Sequence, residues 1–367
     1  MVREPQQPAS GTERGNPERV ASALSRLDSL RGPLTSDMPI AALEEHEAAW
    51  KEVLGHLLTV PLSGSDARRV AAFQRDVGLL PKYKSYAIKA SSPLGYSVFF
   101  QEPGQGFSFQ QHLHHKVEIF HILETRPDSY ALICTLEEWN AHYEPAAFSR
   151  WLEGSSHPVY ETWRIPLVPG DVLCLERTGI VHTVIGCVLE EFATVSTDLV
   201  DRLHDQNVGA PIPASFRRET ALERLRTTPS PSTSQKIVGH ERQPLPRQPF
   251  AGGDVLLLGE VPGLRASRLR LEGGRQAPPQ KAEGEALLLF ASRGDAHLRI
   301  GTEDELAHRD PPGLELPRGT AAMIPPGMSY EIASAGAEVE ISIQAIHPGV
   351  ALMWDSPPIP ASLASDD

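Results

Sequence analysis

The 367-residue sequence predicts a mainly β protein, with two strand-rich blocks in tandem behind a helical extension. Three observations carry that expectation. Short runs rich in β-branched and aromatic residues, such as "GYSVFF", "EIFHIL" and "YALICTL", are broken by Gly and Pro, the pattern of a barrel or sandwich. The same texture returns after a Pro/Ser-rich stretch, and turn-and-strand units like "PGD" in both halves suggest duplication. Ahead of the strands, "MPIAALEEHEAAWKEVLGHLL" (Met38 to Leu58) and "DARRVAAFQRDVG" (Asp66 to Gly78) carry helical periodicity and strong helix formers.

Taken in order, residues 1–37 form a polar, Pro/Gly-rich lead-in, expected to be disordered and lacking the apolar core of a signal peptide. Residues 38–82 are the helical extension, expected to pack on a barrel's outside. Residues 83–205 make the first β domain, interrupted by the helical insert "EEWNAHYEPAAFSRWLE". A Pro/Ser-rich linker with one short basic helix follows at 206–248, then the second β domain at 249–352 and a tail at 353–367.

A formal net charge of -13 argues against general electrostatic capture of nucleic acid or an anionic membrane. No apolar run is long enough to cross a bilayer. Cys134, Cys174 and Cys187 are odd in number, have no zinc-like spacing and sit in apolar runs. They read as reduced core thiols of a cytoplasmic protein.

The chemistry concentrates in "FSFQQHLHHKVEIFHIL" (Phe107 to Leu123). Polar groups in such an apolar frame are costly to bury without partners. Strand alternation puts Gln110, His112 and His114 on one face. After a short turn, Glu118 opens the next strand and points back at them. Farther on, His182 follows a glycine-bearing turn at Gly179. His112, His114, Glu118 and His182 form a 3-His/1-Glu set suited to one divalent first-row metal ion. His115, on the opposite face from His114, and His121 are expected to be structural.

His112-x-His114-x3-Glu118, followed by Pro169-Gly170-Asp171 and Gly179-x-x-His182, resembles the two motifs of the cupin superfamily. The resemblance implies a double-stranded β-helix fold, here a bicupin with an N-terminal helical extension. Within that superfamily, several features are similar to type I mannose-6-phosphate isomerases. They are Gln110-x-His112, Lys116-Val117-Glu118 ahead of "IFHIL", the turn in "ETRPDSYALICTL", and the run from Ser196 to Asp205.

This closer resemblance implies metal ligation by His112, Glu118 and His182, with Gln110 or His114 completing the shell. It implies zinc foremost, with Fe, Mn, Ni or Co as alternatives. Lys116, Asp198 and Arg202 become the catalytic and substrate-orienting groups, and a sugar phosphate the small-molecule partner of an aldose–ketose isomerase.

Three departures stand against the family pattern. The long insertion between Gln-x-His and Lys-x-Glu is missing, Asp201 replaces an aromatic residue, and the glutamine that follows the strand glutamate is replaced around Ala193. An Fe(II)-dependent cupin dioxygenase and a non-catalytic, metal-stabilised sugar-binding or regulatory bicupin are the alternatives. In the second block, Pro279, Lys281 and Tyr330 stand where a motif built on Glu285 calls for histidines. That block is expected to bind no metal and to serve a structural role.

Overall fold

The computed structural model describes residues 17–31, 40–84, 87–92, 94–112, 116–194, 200–207, 218–308 and 311–347. Three helices come first: α1 (Pro17–Ser29), α2 (Ile40–Leu57) and α3 (Gly64–Val77). The Ser63 hydroxyl accepts the Asp66 N–H to start α3, and Gly78 ends it with a φ of 73°; both are standard terminus chemistry. Helix α1 lies inside the stretch expected to be a disordered lead-in, and corrects it. Its Leu24 and Leu27 are buried beside Trp50, Leu54 and Phe73. An amphipathic stripe at helical spacing outweighs the polar average of the surrounding sequence.

The first β unit contains β1 (Leu80–Lys84), β2 (Ala87–Ser91), β3 (Tyr96–Phe100), β4 (Phe109–His112) and the long β5 (Glu118–Thr135). Helices α4 (Leu136–His142), α5 (Pro145–Leu152) and α6 (Pro158–Trp163) form the insert. Strands β6 (Arg164–Pro166), β7 (Asp171–Leu175), β8 (Ile180–Ala193) and β9 (Val200–His204) complete the unit. Both β5 and β8 run through two sheets as single strands, with register shifts between Ile122 and Glu124 and between Thr125 and Tyr130. Their outer halves and inner halves give two pairing orders. One is β3–β8–β5–β7, the other β4–β8–β5–β6. These are the two sheets of an antiparallel jelly roll.

The insert begins at a capping box in which Thr135 and Glu138 satisfy each other's backbone N–H groups. Its Trp139, Phe148, Trp151, Tyr160 and Trp163 pack on Phe109, Leu132 and Val181 of the barrel's outer face.

Helix α7 (Arg218–Thr227) precedes the hairpin of β10 (Gln235–Val238) and β11 (Glu241–Pro244). That hairpin falls within the expected linker but joins the first barrel, with β10 running parallel to β7. Arg242 fastens it by donating to both oxygens of the fully buried Asp171 at 2.9 Å.

The second unit follows with β12 (Arg247–Phe250), β13 (Gly253–Val261), β14 (Leu264–Leu271), β15 (Gln280–Lys281), β16 (Ala286–Arg293) and β17 (Ala296–Gly301). Helix α8 (Glu303–Ala307), β18 (Leu314–Leu316), β19 (Ala321–Ile324), β20 (Ser329–Ser334) and β21 (Val339–Ile346) close it. Its sheets run β14–β21–β16–β19 and β15–β20–β17–β18, the same jelly-roll order as the first unit. The duplication expected from the sequence is therefore a duplication of strand topology.

Alternation decides how the barrels meet. Along β14, Ala266 and Arg268 face the first barrel while Arg265, Ser267 and Leu269 face the second barrel's own interior. Leu256, Leu258, Leu288 and Phe290 join the same inter-barrel core as Tyr96, Val98 and Phe192 of the first barrel. Helices α1 to α3 contribute to that core as well, so the extension packs on the barrels' exterior at their junction. Helix α3 also sets Ala67 and Ala71 into the second barrel's own core.

At the centre of the junction lies a buried polar cluster. Arg268 is fully buried and donates to Glu190 at 2.7 Å, and His121 lies 2.9 Å from the same carboxylate. Tyr96 donates its hydroxyl to the other oxygen of Glu190 at 2.8 Å. His121 thus bonds outward, across the junction.

Candidate metal centre

Strand parity builds the site. In β5, Glu118 and His121 are three residues apart and so face opposite ways. Glu118 points into the first barrel, His121 out to the second. In β4, His112 is placed inward. In β8, His182 is the direct cross-strand partner of Gln110. The backbone register therefore brings three strands' inward residues together at one end of the barrel.

His112, Glu118 and His182 converge, with one ligand atom from each lying within 4.8 Å of the others. All three are buried. The His112 Nε2 lies 2.8 Å from Glu118 Oε2, and the His182 Nε2 lies 3.3 Å from the same oxygen. The ring centroids are 4.9 Å apart.

His182 Nδ1 lies 3.1 Å from the carbonyl oxygen of Ile180. A carbonyl only accepts, so Nδ1 carries a proton, and in the neutral ring Nε2 presents its lone pair. A lone pair facing a carboxylate oxygen across 3.3 Å is repulsive unless a proton or a cation lies between them. Nε2 makes no hydrogen bond within the described structure, although it is buried. This is the usual outer support of a metal-ligating histidine, with one nitrogen tied to the backbone and the other aimed at the ion.

Burial, helped by Lys116 and His182 and opposed by Glu118, pulls His112 down to about 4. It is neutral near pH 7, the form that ligates. Burial alone would raise Glu118, but His112 and Lys116 outweigh it and hold the carboxyl well below the ordinary range. Two imidazoles and an ionised carboxylate fit a divalent first-row cation, and the group could bind one.

Around this core, Lys116 sets its ammonium 2.6 Å from Glu118 Oε1 and 3.2 Å from Glu191 Oε1. Glu191 is a site residue that the reading of the sequence did not single out. It is buried on the inward face of β8, opposite Phe120, while its neighbour Glu190 faces the second barrel. The available signal was two consecutive glutamates in the otherwise apolar run "VIGCVLEEFATV", since a buried strand must partner both.

Gln110 shares the inward face with His182, and its side-chain oxygen accepts the Ser108 hydroxyl at 2.8 Å. Arg202 is the cross-strand partner of Gln110 on β9. Its guanidinium is half exposed, 3.5 Å from Asp205. Asp201, one residue earlier, faces the other way and accepts from Gln111 at 3.0 Å. His114, His115 and Asp198 lie outside the described residues. Burial pushes the thiols of Cys134 and Cys187 up to about 12 and that of Cys174 to about 11, away from reactivity. No described helix is long and apolar enough to cross a membrane.

Two antiparallel jelly rolls in tandem, the first with an inward His–Glu–His group, define a double-barrel, double-stranded β-helix architecture. No family model matches the sequence, and a search of curated proteins finds no match. Among solved structures, the chain is similar to a mutant oxalate decarboxylase of Bacillus subtilis, with 12% identity and a TM-score of 0.44, over 73% of this chain and 75% of that one. It is similar to procruciferin, an 11S globulin of Brassica napus, with 10% identity and a TM-score of 0.46, over 74% and 84%. A mannose 6-phosphate isomerase of Bacillus subtilis gives 14% identity and a TM-score of 0.43, over 68% and 74%. Similarity at these levels assigns no activity; the fold assignment rests on the strand order itself.

Proposed function

We propose that the first barrel is the metal-dependent active site of an enzyme acting on a polyhydroxylated small molecule. Aldose–ketose isomerisation of a sugar phosphate is the specific reaction. The observation that carries the reading is the buried Lys116 ammonium held 2.6 Å from Glu118, beside two imidazoles with a free coordinating nitrogen between them. A divalent ion held by His112, Glu118 and His182, with Gln110 or His114 completing the set, supplies positive charge for an oxyanion. Zinc is the first choice for that ion.

The chain's own residues supply the rest. Lys116 places a fixed cation against the negative charge that develops on an enediolate oxygen. Glu118 and Glu191 hold its ammonium in place. Arg202, on the same face as Gln110 and reaching solvent, takes the phosphate bidentately at the barrel's mouth. Asp198 is assigned the substrate-orienting role.

The test is conversion of mannose-6-phosphate to fructose-6-phosphate by zinc-loaded protein, together with solvent deuterium incorporation at C2 read by NMR. Turnover or exchange that falls at least a hundredfold in Lys116→Met, in a folded protein, supports the reading. Neither turnover nor exchange at millimolar substrate removes the isomerase assignment.

A further inference from the structure

The second barrel has a cavity of its own, about 620 Å³, which lies within the range of sites that enclose a small organic ligand. It is separate from the metal centre, since none of His112, Glu118 and His182 lines it. Its walls are apolar, with Leu257, Leu269, Leu287, Ile332 and Ile343 among them. These come from the inward positions of β13, β14, β16, β20 and β21, so the cavity is the barrel's interior rather than a surface crease.

Two hydroxyls break the apolar part of the lining, while the exposed Gln248 and Gln280 join the charged residues at the rim. Ser267 is half-buried on β14. Tyr330, on β20, is only 6% exposed, and its hydroxyl has no hydrogen-bond partner among the described residues. Burial pushes it up to about 12, so it stays protonated and available as a donor.

Charge at the rim is already neutralised. Arg247 pairs with Asp254 at 3.0 Å, Arg265 with Glu285 at 2.8 Å and Lys281 with Glu303 at 2.8 Å. Glu260 stands opposite Arg265 in the β13–β14 register. Each of the three lining cations already has a carboxylate partner, so a carboxylate entering the apolar interior competes with Asp254, Glu285 and Glu303 for them and is desolvated as it does so.

We propose that the second barrel binds an uncharged, largely apolar small molecule through a single carbonyl or hydroxyl oxygen that accepts the Tyr330 hydroxyl. The ligand lies one sheet away from the inter-barrel cluster, because Ser267 and Leu269 face the cavity while Arg268 between them faces Glu190. The proposal is independent of the reaction assigned to the first barrel.

The test uses the full chain and two probes of equal length, 2-nonanone and nonanoate, followed by isothermal titration calorimetry. The ketone is expected to bind at one per chain, with the carboxylate at least tenfold weaker. Ser267→Phe, which fills the cavity from a half-buried wall, is expected to weaken the ketone at least tenfold. Tyr330→Phe keeps the ring but removes the donor, and is expected to weaken it about three- to tenfold, the worth of one neutral hydrogen bond. It serves as the second variant should Ser267→Phe not fold. His182→Ala is expected to bind the ketone as wild type does, which separates this site from the metal centre. Absence of ketone binding at millimolar concentration overturns the proposal. So does equal binding of nonanoate, or an affinity unchanged in both folded variants.

Discussion

Replacing Arg268 with methionine tests how the two barrels are held. The guanidinium is fully buried, donates to Glu190 at 2.7 Å and lies 3.5 Å from Glu340. Methionine keeps much of the stem's volume but leaves Glu190 buried with only His121, Tyr96 and Ser342 about it. Removing one partner of a buried ion pair costs about 3–5 kcal/mol, because the remaining charge is uncompensated. For a protein of this size that is a fall in Tm of about 4–7 °C.

The acid limb gives a second reading of the same cluster. Burial alone would raise Glu190, but Arg268 and His121 outweigh it and carry it from 4.5 down to about 2. A depressed carboxyl contributes stability that is complete above pH 4.5 and lost as the pH falls toward 2. The shift corresponds to about 3 kcal/mol. Urea unfolding at pH 7 and across the acid range, with constant slope, measures both effects in Arg268→Met, Glu190→Gln and the double variant. The double variant is expected to be more stable than the sum of the singles predicts, by about 2 kcal/mol or more. A loss below about 1 kcal/mol in Arg268→Met refutes the reasoning. An acid limb in Glu190→Gln that matches wild type refutes it equally.

Further outcomes follow from single contacts. Gly170→Ala is expected to cost about 2–4 kcal/mol by urea unfolding, since its φ of 94° disfavours a side chain and a Cβ would strike the Thr233 carbonyl. Phe148→Ala, which empties a fully buried position under the helical insert, is expected to cost about 3–5 kcal/mol by the same measurement. Free zinc a hundredfold above its Kd is expected to stabilise wild type by about 2.7 kcal/mol and to leave His182→Ala unmoved; thermal melts with and without zinc check this.

Much of the first barrel was legible because its strands obey alternation. The inward Glu118 and outward His121 follow from parity within "EIFHIL", and the duplicated barrels follow from recurring turns. Long-range pairing was not legible. Nothing within "LRASRLRL" says that Arg268 finds Glu190 seventy-eight residues away, or that Glu190 and Glu191 serve different barrels. Composition also misled. "PERVASALSRLDS" reads as polar, yet three turns of helix need only one apolar stripe, and Leu24 and Leu27 supply its core. The β10–β11 hairpin, "QKIV" and "ERQP", lacks an apolar alternation because it is an edge held by Arg242 and Asp171 rather than by burial.

Metal stoichiometry bears most directly on the first barrel's role. The full chain is equilibrated with zinc, freed of excess by gel filtration and submitted to elemental analysis beside folded Glu118→Gln and His182→Ala. One ion per wild-type chain, falling to about a tenth or less in each variant, is the expected result. Wild-type protein that retains no ion, or variants that retain as much as wild type, would show that His112, Glu118 and His182 do not form a metal centre.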